Sequence, residues 1–110
     1  MINIVHTDIH CDDERKVTAI DIKLKSIPGT DGIALFGHQL SATISGAFFK
    51  TTIFNDVSKS LGFNRNTDRN DIIDLTISIN RDDPVQLSFQ DVANFLKAFQ
   101  EALDTTDLGF

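Results

Sequence analysis

Two histidines and an aspartate near the start of the chain have the clearest capacity for chemistry. His6, Asp8 and His10 would share one face of an extended strand, with neighbours about 6.5–7 Å apart at a rise of ~3.3 Å per residue. Imidazole and carboxylate groups are ligands for zinc or iron. Because side chains on a straight strand diverge, a metal site here needs a kink or a further ligand such as His38. We therefore expect a polar strand face without a metal or cofactor, and keep a small metal-dependent enzyme on this strand as an alternative.

A second polar series superficially resembles a calcium-binding loop. Oxygen-bearing side chains recur at every second position, at Asn64, Asn66, Asp68 and Asn70. Arg69 occupies the place where the sharp turn of such a loop requires glycine, and Leu75 occupies the place of its bidentate glutamate. The series therefore predicts an Asn/Asp turn and no calcium site.

The sequence has no signature of an enzyme. Cys11 is the single cysteine, and no nucleophile lies in a strained Gly-x-Ser-x-Gly turn. The paired carboxylates, residues 12 and 13 and residues 82 and 83, fall in predicted turns, whereas a general acid needs an apolar cleft. No glycine-rich loop precedes a lysine in the manner of a phosphate site. We therefore predict a protein that binds and does not catalyse.

The charge of the chain predicts the nature of its partner. The net charge is -6, and of the 16 acidic residues only Glu14 and Glu101 are glutamate. Binding to nucleic acid depends on lysine and arginine, so we expect a basic protein partner and no direct contact with nucleic acid. The carboxylates predicted to form the binding surface are Asp12, Asp13, Glu14, Asp68, Asp71, Asp82 and Asp83. The resulting hypothesis is an inhibitor, immunity-protein-like or phage-encoded, that masks a nucleic-acid-binding surface of its target.

The apolar composition predicts one soluble domain. At 110 residues the chain would not divide into two stable units, so we expect residues 1–110 to form a single α+β domain. No stretch approaches the ~20 apolar residues of a membrane span, and no signal peptide opens the chain. Together with the single cysteine, this predicts the cytoplasm, either of the cell that makes the protein or of a host cell.

Alternating apolar residues predict three strands. Residues 2–11 and residues 17–25 alternate, and in the second segment Ile20, Ile22 and Leu24 should face the core. The charged residues between them suit a hairpin connection. Residues 73–80 alternate in the same way. A cluster of turn-forming residues at 28–32 should separate the second strand from the middle of the chain.

The middle of the chain is ambiguous between strand and helix. Leu40, Ile44 and Phe48 fit a helical stripe, but Gly37 and Gly46 would each cost a helix about 1 kcal/mol relative to alanine. Thr, Ile and Phe are frequent here, which favours strands. We therefore predict strands at 39–45 and 47–54, then a short helix from residue 55 or 56 to 61 that ends at Gly62.

The last third of the chain predicts a short strand and a long helix. Residues 85–87 would form a returning strand after Pro84. Ser88 and Asp91 have the spacing of a capping box, with Leu87 and Val92 in the hydrophobic staple positions. The apolar face of the helix comprises Val92, Phe95, Leu96, Phe99 and Leu103.

These elements predict an α+β fold, a mostly antiparallel sheet of about six strands with a short middle helix and a C-terminal amphipathic helix on one face. Tyr and Trp are absent, so phenylalanine would have to supply any aromatic contact with a partner. If the middle segment curls away from the sheet, an apolar interface would form from Phe36, Phe48, Phe49 and Phe54. Such a patch, or an exposed strand edge, would make the protein a homo-oligomeric structural or accessory subunit, which is the alternative function.

Overall fold

The computed structural model describes residues 3–25, 33–65 and 72–105, and at residues 33–39, 65 and 105 it describes the backbone alone. Four strands and three helices lie in the described part of the chain. In chain order they are β1 (Asn3–Cys11), β2 (Val17–Lys25), α1 (Ile33–Lys50), α2 (Thr52–Asn55), β3 (Lys59–Arg65), β4 (Ile72–Ile79) and α3 (Phe89–Thr105). The predicted α+β class with an antiparallel sheet and a C-terminal helix is confirmed.

The four described strands form one antiparallel sheet in the order β1-β2-β4-β3. Since β2 pairs with both β1 and β4, and β4 pairs with both β2 and β3, β2 and β4 occupy the centre. The inward sides of the central strands are almost fully buried, as the alternation of Ile20, Ile22 and Leu24 predicted. Helices α1 and α3 pack against each other over this side of the sheet. The opposite face of the sheet has no helix over it among the described elements.

Four phenylalanine rings form the centre of the core. Phe95 of α3 stacks on Phe54 and Phe48, with ring centroids 4.5 and 4.7 Å apart, and on Phe99 at 5.7 Å. Phe54 and Phe95 are fully buried, and Phe48 is 4 % exposed. These rings join the three helices to each other, and burial of a side chain this large contributes on the order of 1.5–3 kcal/mol.

The predicted start of the final helix is confirmed. The Ser88 backbone N–H donates to Asp91 Oδ2 at 2.8 Å, and the Asp91 N–H donates to Ser88 Oγ at 3.2 Å. This reciprocal pair is a capping box, which satisfies backbone donors that a helix N-terminus leaves without intrahelical partners. Leu87 and Val92, in the staple positions, are both buried.

The two strands predicted at 39–45 and 47–54 are wrong. An 18-residue helix, α1, and the four-residue helix α2 occupy this region. The helical stripe is real, because Leu40, Ile44 and Phe48 are all buried against the sheet and α3. Burial of this stripe outweighs the cost of Gly46 and the strand preference of the β-branched residues.

Two further predictions of secondary structure are also wrong. The segment predicted to be a helix ending at Gly62 instead leads into a strand, since β3 begins at Lys59 and runs through that glycine. Residues 85–87 form no strand, although the Leu87 side chain is buried. The described sheet therefore has four strands and not about six, and three helices replace the predicted two.

Candidate functional site

The uncovered face of the sheet carries the polar residues that the sequence singled out. His6, Asp8 and His10 all project from it and are exposed, as expected for one strand face. Irregular register between Ile4 and His6 shifts the phase of β1, so that Ile4 and Ile9 both face the core. The bulge thereby keeps the histidines and Asp8 on the solvent side along the rest of the strand.

The structure brings an unforeseen residue, Asp21 of β2, into contact with this series. His10 Nε2 lies 2.7 Å from Asp21 Oδ2 and 3.7 Å from Asp8 Oδ2. The Thr76 hydroxyl of β4 donates to Asp21 Oδ1 at 3.0 Å. One potential ligand atom from each of Asp8, His10 and Asp21 lies within 4.8 Å of the others. We call these three residues the Asp8–His10–Asp21 cluster.

The contact between His10 and Asp21 favours the charged form of each side chain. The hydrogen bond with Asp21 is the main cause that raises the pKa of His10, and the nearby charge of Asp8 acts in the same direction. The same hydrogen bond, with a further contribution from the Thr76 hydroxyl, lowers the pKa of Asp21. All three side chains are close to half exposed or more, so solvent screens these interactions.

The other candidate ligands of the sequence analysis lie apart from the cluster. His6 lies opposite Lys23 in the β1–β2 register, two residues before Asp8 on β1. Cys11 is exposed at the end of β1. His38 lies in α1, within the part whose side chains are not described. The calcium-like series falls mostly on residues 66–71, which are outside the described residues.

The contact of Asp21 with His10 and Asp8 could not be predicted from the sequence, because it depends on a β-bulge in β1. Cys11 pairs with Val17, but the register shifts between His10 and Cys11, so that Asp8 pairs with Asp21. Continued without the shift, the Cys11–Val17 register would have placed Asp8 opposite Ile20. The sequence alone indicated only that Asp21 faces outward on β2.

A second polar region lies at one end of the sheet, where the β1–β2 turn approaches the β4–α3 loop. We call it the acidic end; its predicted carboxylates are Asp12, Asp13, Glu14, Asp82 and Asp83. Asp12 and Asp83 line the same shallow depression, together with Lys16 and Arg81. Arg15, Lys16 and Arg81 place three cations among the five carboxylates. Asp68 and Asp71 lie outside the described residues.

Two of these carboxylates hold the backbone of the acidic end in place. Asp12 Oδ1 accepts hydrogen bonds from the N–H groups of Glu14 and Lys16, both at 2.9 Å. Asp83 accepts one from the Ser58 N–H, and its Oδ1 accepts another from the Val85 N–H at 2.8 Å. These backbone hydrogen bonds are the main causes that lower the pKa of Asp83.

Glu14 is also engaged, because its carboxylate lies 2.8 Å from the Lys16 ammonium. Both side chains are largely exposed, so this ion pair contributes little to stability. Asp13 and Asp82 are exposed residues of the two turns. They are therefore the carboxylates of the acidic end best placed to meet a partner without disturbing the fold.

The predicted phenylalanine interface does not form as a single patch. Phe48 and Phe54 belong to the core, whereas Phe49 is 78 % exposed on the outer side of α1. The Phe36 side chain is not among those described. Ile53 of α2 is 41 % exposed, so the exposed apolar side chains described on α1 and α2 differ from the expected set.

Lys59 is a residue that the sequence analysis did not consider. Its ammonium lies 4.4 Å from the centre of the Phe48 ring and donates to the Val57 carbonyl at 3.1 Å. It also donates to the Asn55 carbonyl at the end of α2, at 3.4 Å. Burial lowers its pKa. These contacts tie β3 to the helices, and we assign Lys59 a structural role.

No protein-family model matches the chain, and the comparisons with curated proteins and with solved structures returned no match. Within the part of the chain that the structure describes, no helix is long and apolar enough to cross a membrane. The site must therefore be interpreted from its own chemistry.

Proposed function

We propose that the protein is a small non-enzymatic binding module that presents its acidic end to a basic surface of another protein. The observation that carries the proposal is the meeting of two turns, distant in sequence, at one end of the sheet, where Asp12 and Asp83 line one depression. We further propose that the target is a nucleic-acid-binding protein. The module would be an immunity-protein-like or phage-encoded inhibitor that acts in the cytoplasm.

Rigidity of the acidic end supports this proposal. The backbone hydrogen bonds to Asp12 and Asp83 hold both turns before any partner arrives. A surface that is already ordered loses less conformational entropy on binding. Carboxylates held in this way attract a basic partner over a distance and set the orientation in which it docks.

The uncovered sheet face supports a protein partner over a nucleic acid. Sheets that bind single-stranded RNA stack bases on aromatic side chains and attract phosphates with cations. The described outward positions of the sheet hold no phenylalanine, and their aromatic rings are the imidazoles of His6 and His10. Two lysines, Lys23 and Lys25, lie there against three aspartates, namely Asp8, Asp21 and Asp74. This surface therefore offers little for stacking bases or for attracting phosphates.

The test uses variants that remove charge but preserve the turns. The immobilised chain is exposed at low salt to the heparin-binding fraction of a cell lysate, which is rich in basic nucleic-acid enzymes. A captured protein is identified by mass spectrometry, and its association rate is measured over a range of salt concentrations. The double variant Asp13→Asn, Asp82→Asn should bind several-fold more slowly at low salt and show a weaker salt dependence.

The matched control removes two charges at the far end of α3, in Glu101→Gln, Asp104→Asn. It changes the net charge equally and should leave the association rate near that of the unmodified chain. The inhibitor part of the proposal further requires that the chain displace nucleic acid from the captured enzyme. Equal rates in all three proteins would refute the acidic end as the binding surface.

A second candidate function, a homo-oligomeric structural subunit, is favoured by the outer edge of β3. All seven residues of β3 pair with β4 in unbroken register, and no described strand pairs with its other edge. The opposite edge of the sheet, on β1, is interrupted by two register shifts, and Gln100 Oε1 accepts the Ile4 N–H at 3.0 Å. Regular, uncovered edges are the ones that add strands from another chain.

A further inference from the structure

The Asp8–His10–Asp21 cluster contains an electrostatic conflict. Asp8 and Asp21 lie directly opposite each other in the antiparallel pair of β1 and β2. Like charges in this position destabilise a sheet unless a cation lies close to both of them. The neighbouring side chain, His10, contacts both carboxylates through the same nitrogen, Nε2.

The geometry of the cluster is that of ligands converging on one point. His10 Nε2 and Asp21 Oδ2 are 2.7 Å apart, and Nε2 and Asp8 Oδ2 are 3.7 Å apart. Atoms bound to a common metal at about 2.0–2.2 Å from it must lie no more than ~4.4 Å from each other. Both distances lie within this limit, and the ligand atoms of Asp8 and Asp21 lie within 4.8 Å of each other. The contact between His10 and Asp21 is a hydrogen bond, so a metal would replace it and move these two atoms slightly apart.

A contact from a third strand orients one of these ligands. The Thr76 hydroxyl donates to Asp21 Oδ1 at 3.0 Å and leaves Oδ2 directed toward His10. Outer contacts of this kind orient the ligating carboxylates of metal sites. The three groups also stand on paired strands of a four-stranded sheet, which limits their movement relative to one another.

We propose that Asp8, His10 and Asp21 bind one divalent transition-metal cation of the zinc class. A donor set of one imidazole nitrogen and two carboxylate oxygens suits zinc, cobalt or manganese, whereas calcium and magnesium prefer oxygen donors alone. The cation would resolve the repulsion between Asp8 and Asp21. All three side chains are partly exposed, so solvent would occupy the rest of the coordination sphere.

This site is independent of the acidic end and differs from the metal site considered from the sequence. The ligands are supplied by two strands, and His6, which lies opposite Lys23 in the register, is not a member of the cluster. The competing explanation is that the cluster binds no metal and that protonated His10 supplies its positive charge. The two explanations differ in whether a metal binds stoichiometrically.

The test uses the full chain without a histidine tag. Cobalt(II) is added and its visible absorption is recorded, since band position and intensity report the ligands and the coordination number, and zinc binding is measured by calorimetry. We expect one equivalent of either metal to bind. In Asp21→Asn and in His10→Gln the affinity should fall at least tenfold, because each change removes one ligand.

The control variant is His6→Gln, which changes a histidine on the same face outside the cluster. Its metal affinity should equal that of the unmodified chain. Far-ultraviolet circular dichroism of each variant establishes that the fold is retained. The proposal is overturned if the unmodified chain binds neither metal, if Asp21→Asn binds as tightly as before, or if His6→Gln abolishes binding.

Discussion

At the scale of single residues, Phe95 is the ring around which the other described core phenylalanines stack. It is fully buried and stacks on three other phenylalanine rings. We expect Phe95→Ala to lower the free energy of unfolding by about 3–5 kcal/mol, because the cavity lies where three helices meet. Urea denaturation followed by circular dichroism measures this.

The control for that change is Phe49→Ala on the outer side of α1. Phe49 is 78 % exposed, so its removal should alter the free energy of unfolding by no more than ~0.5 kcal/mol. Equal losses in the two variants would contradict the placement of the core.

Asp83 gives a prediction for pH dependence. Its pKa is lowered by the hydrogen bonds from the Ser58 and Val85 backbone, so its ionised form stabilises the fold. This contribution is present above the unfolded pKa of about 3.9 and is lost as the pH falls through the lower folded value. Asp83→Asn should therefore lower the urea midpoint at pH 7, and the difference from the unmodified chain should shrink below about pH 4.

The neighbouring Asp82→Asn serves as the comparison, since Asp82 is exposed and is not one of the carboxylates that hold the turn. Its urea midpoint should stay close to that of the unmodified chain at both pH values. A loss in Asp83→Asn that is the same at pH 3 and pH 7 would show that the ionised carboxylate is not the stabilising form.

At the scale of elements, α1 shows how tertiary packing decides between two local patterns. Its sequence contains both the alternation of a strand and the stripe of a helix. The helix prevails because it buries Leu40, Ile44, Ala47 and Phe48 in one cluster with the sheet. A strand would bury alternate residues on one side only and would leave part of the sheet uncovered.

Gly46 tests this assignment directly. It is exposed in α1, and a Cβ added to it would meet nothing within 4 Å. If the segment is helical, Gly46→Ala should raise the free energy of unfolding by about 0.5–1 kcal/mol, because alanine restricts the unfolded chain and favours the helix.

The reverse change at an exposed position of the same helix, Ala42→Gly, should lower the stability by a similar amount. Both effects are read from urea denaturation at one temperature. A destabilising Gly46→Ala would instead support the two strands predicted at 39–45 and 47–54.

At the scale of the whole molecule, the two edges of the sheet differ in how they are protected. Leu61 of β3 lies on the helix side of the sheet yet is 38 % exposed, because the helices leave this edge incompletely covered. If the second candidate function holds, the chain forms a dimer through β3 that light scattering detects at high concentration. Leu61→Lys should then make it a monomer, since an inward-pointing charge blocks strand addition.

The matched change on the other edge is Val5→Lys, at a side chain that is 51 % exposed on β1. It adds the same charge and should leave the oligomeric state unchanged. An unmodified chain that stays monomeric at every concentration would remove the homo-oligomer from consideration and leave the acidic end as the surface to pursue.

The sequence by itself determined the elements whose pattern admits one interpretation. Strands β1, β2 and β4 alternate without a competing helical period, and α3 begins at a capping box that needs only local hydrogen bonds. The placement of His6, Asp8 and His10 on one face of β1 was predicted for the same reason, because side-chain direction along a strand follows from its period of two.

Only the tertiary structure decided the elements and contacts that depend on distant partners. The helical state of α1 depends on the sheet it covers, and β3 depends on its pairing with β4 through a glycine that locally resembles a helix end. Asp21 reaches His10 because a bulge shifts the register by one residue. The two turns of the acidic end meet because β2 begins and β4 ends at the same side of the sheet. Each of these depends on contacts between residues far apart in sequence, which a local pattern does not encode.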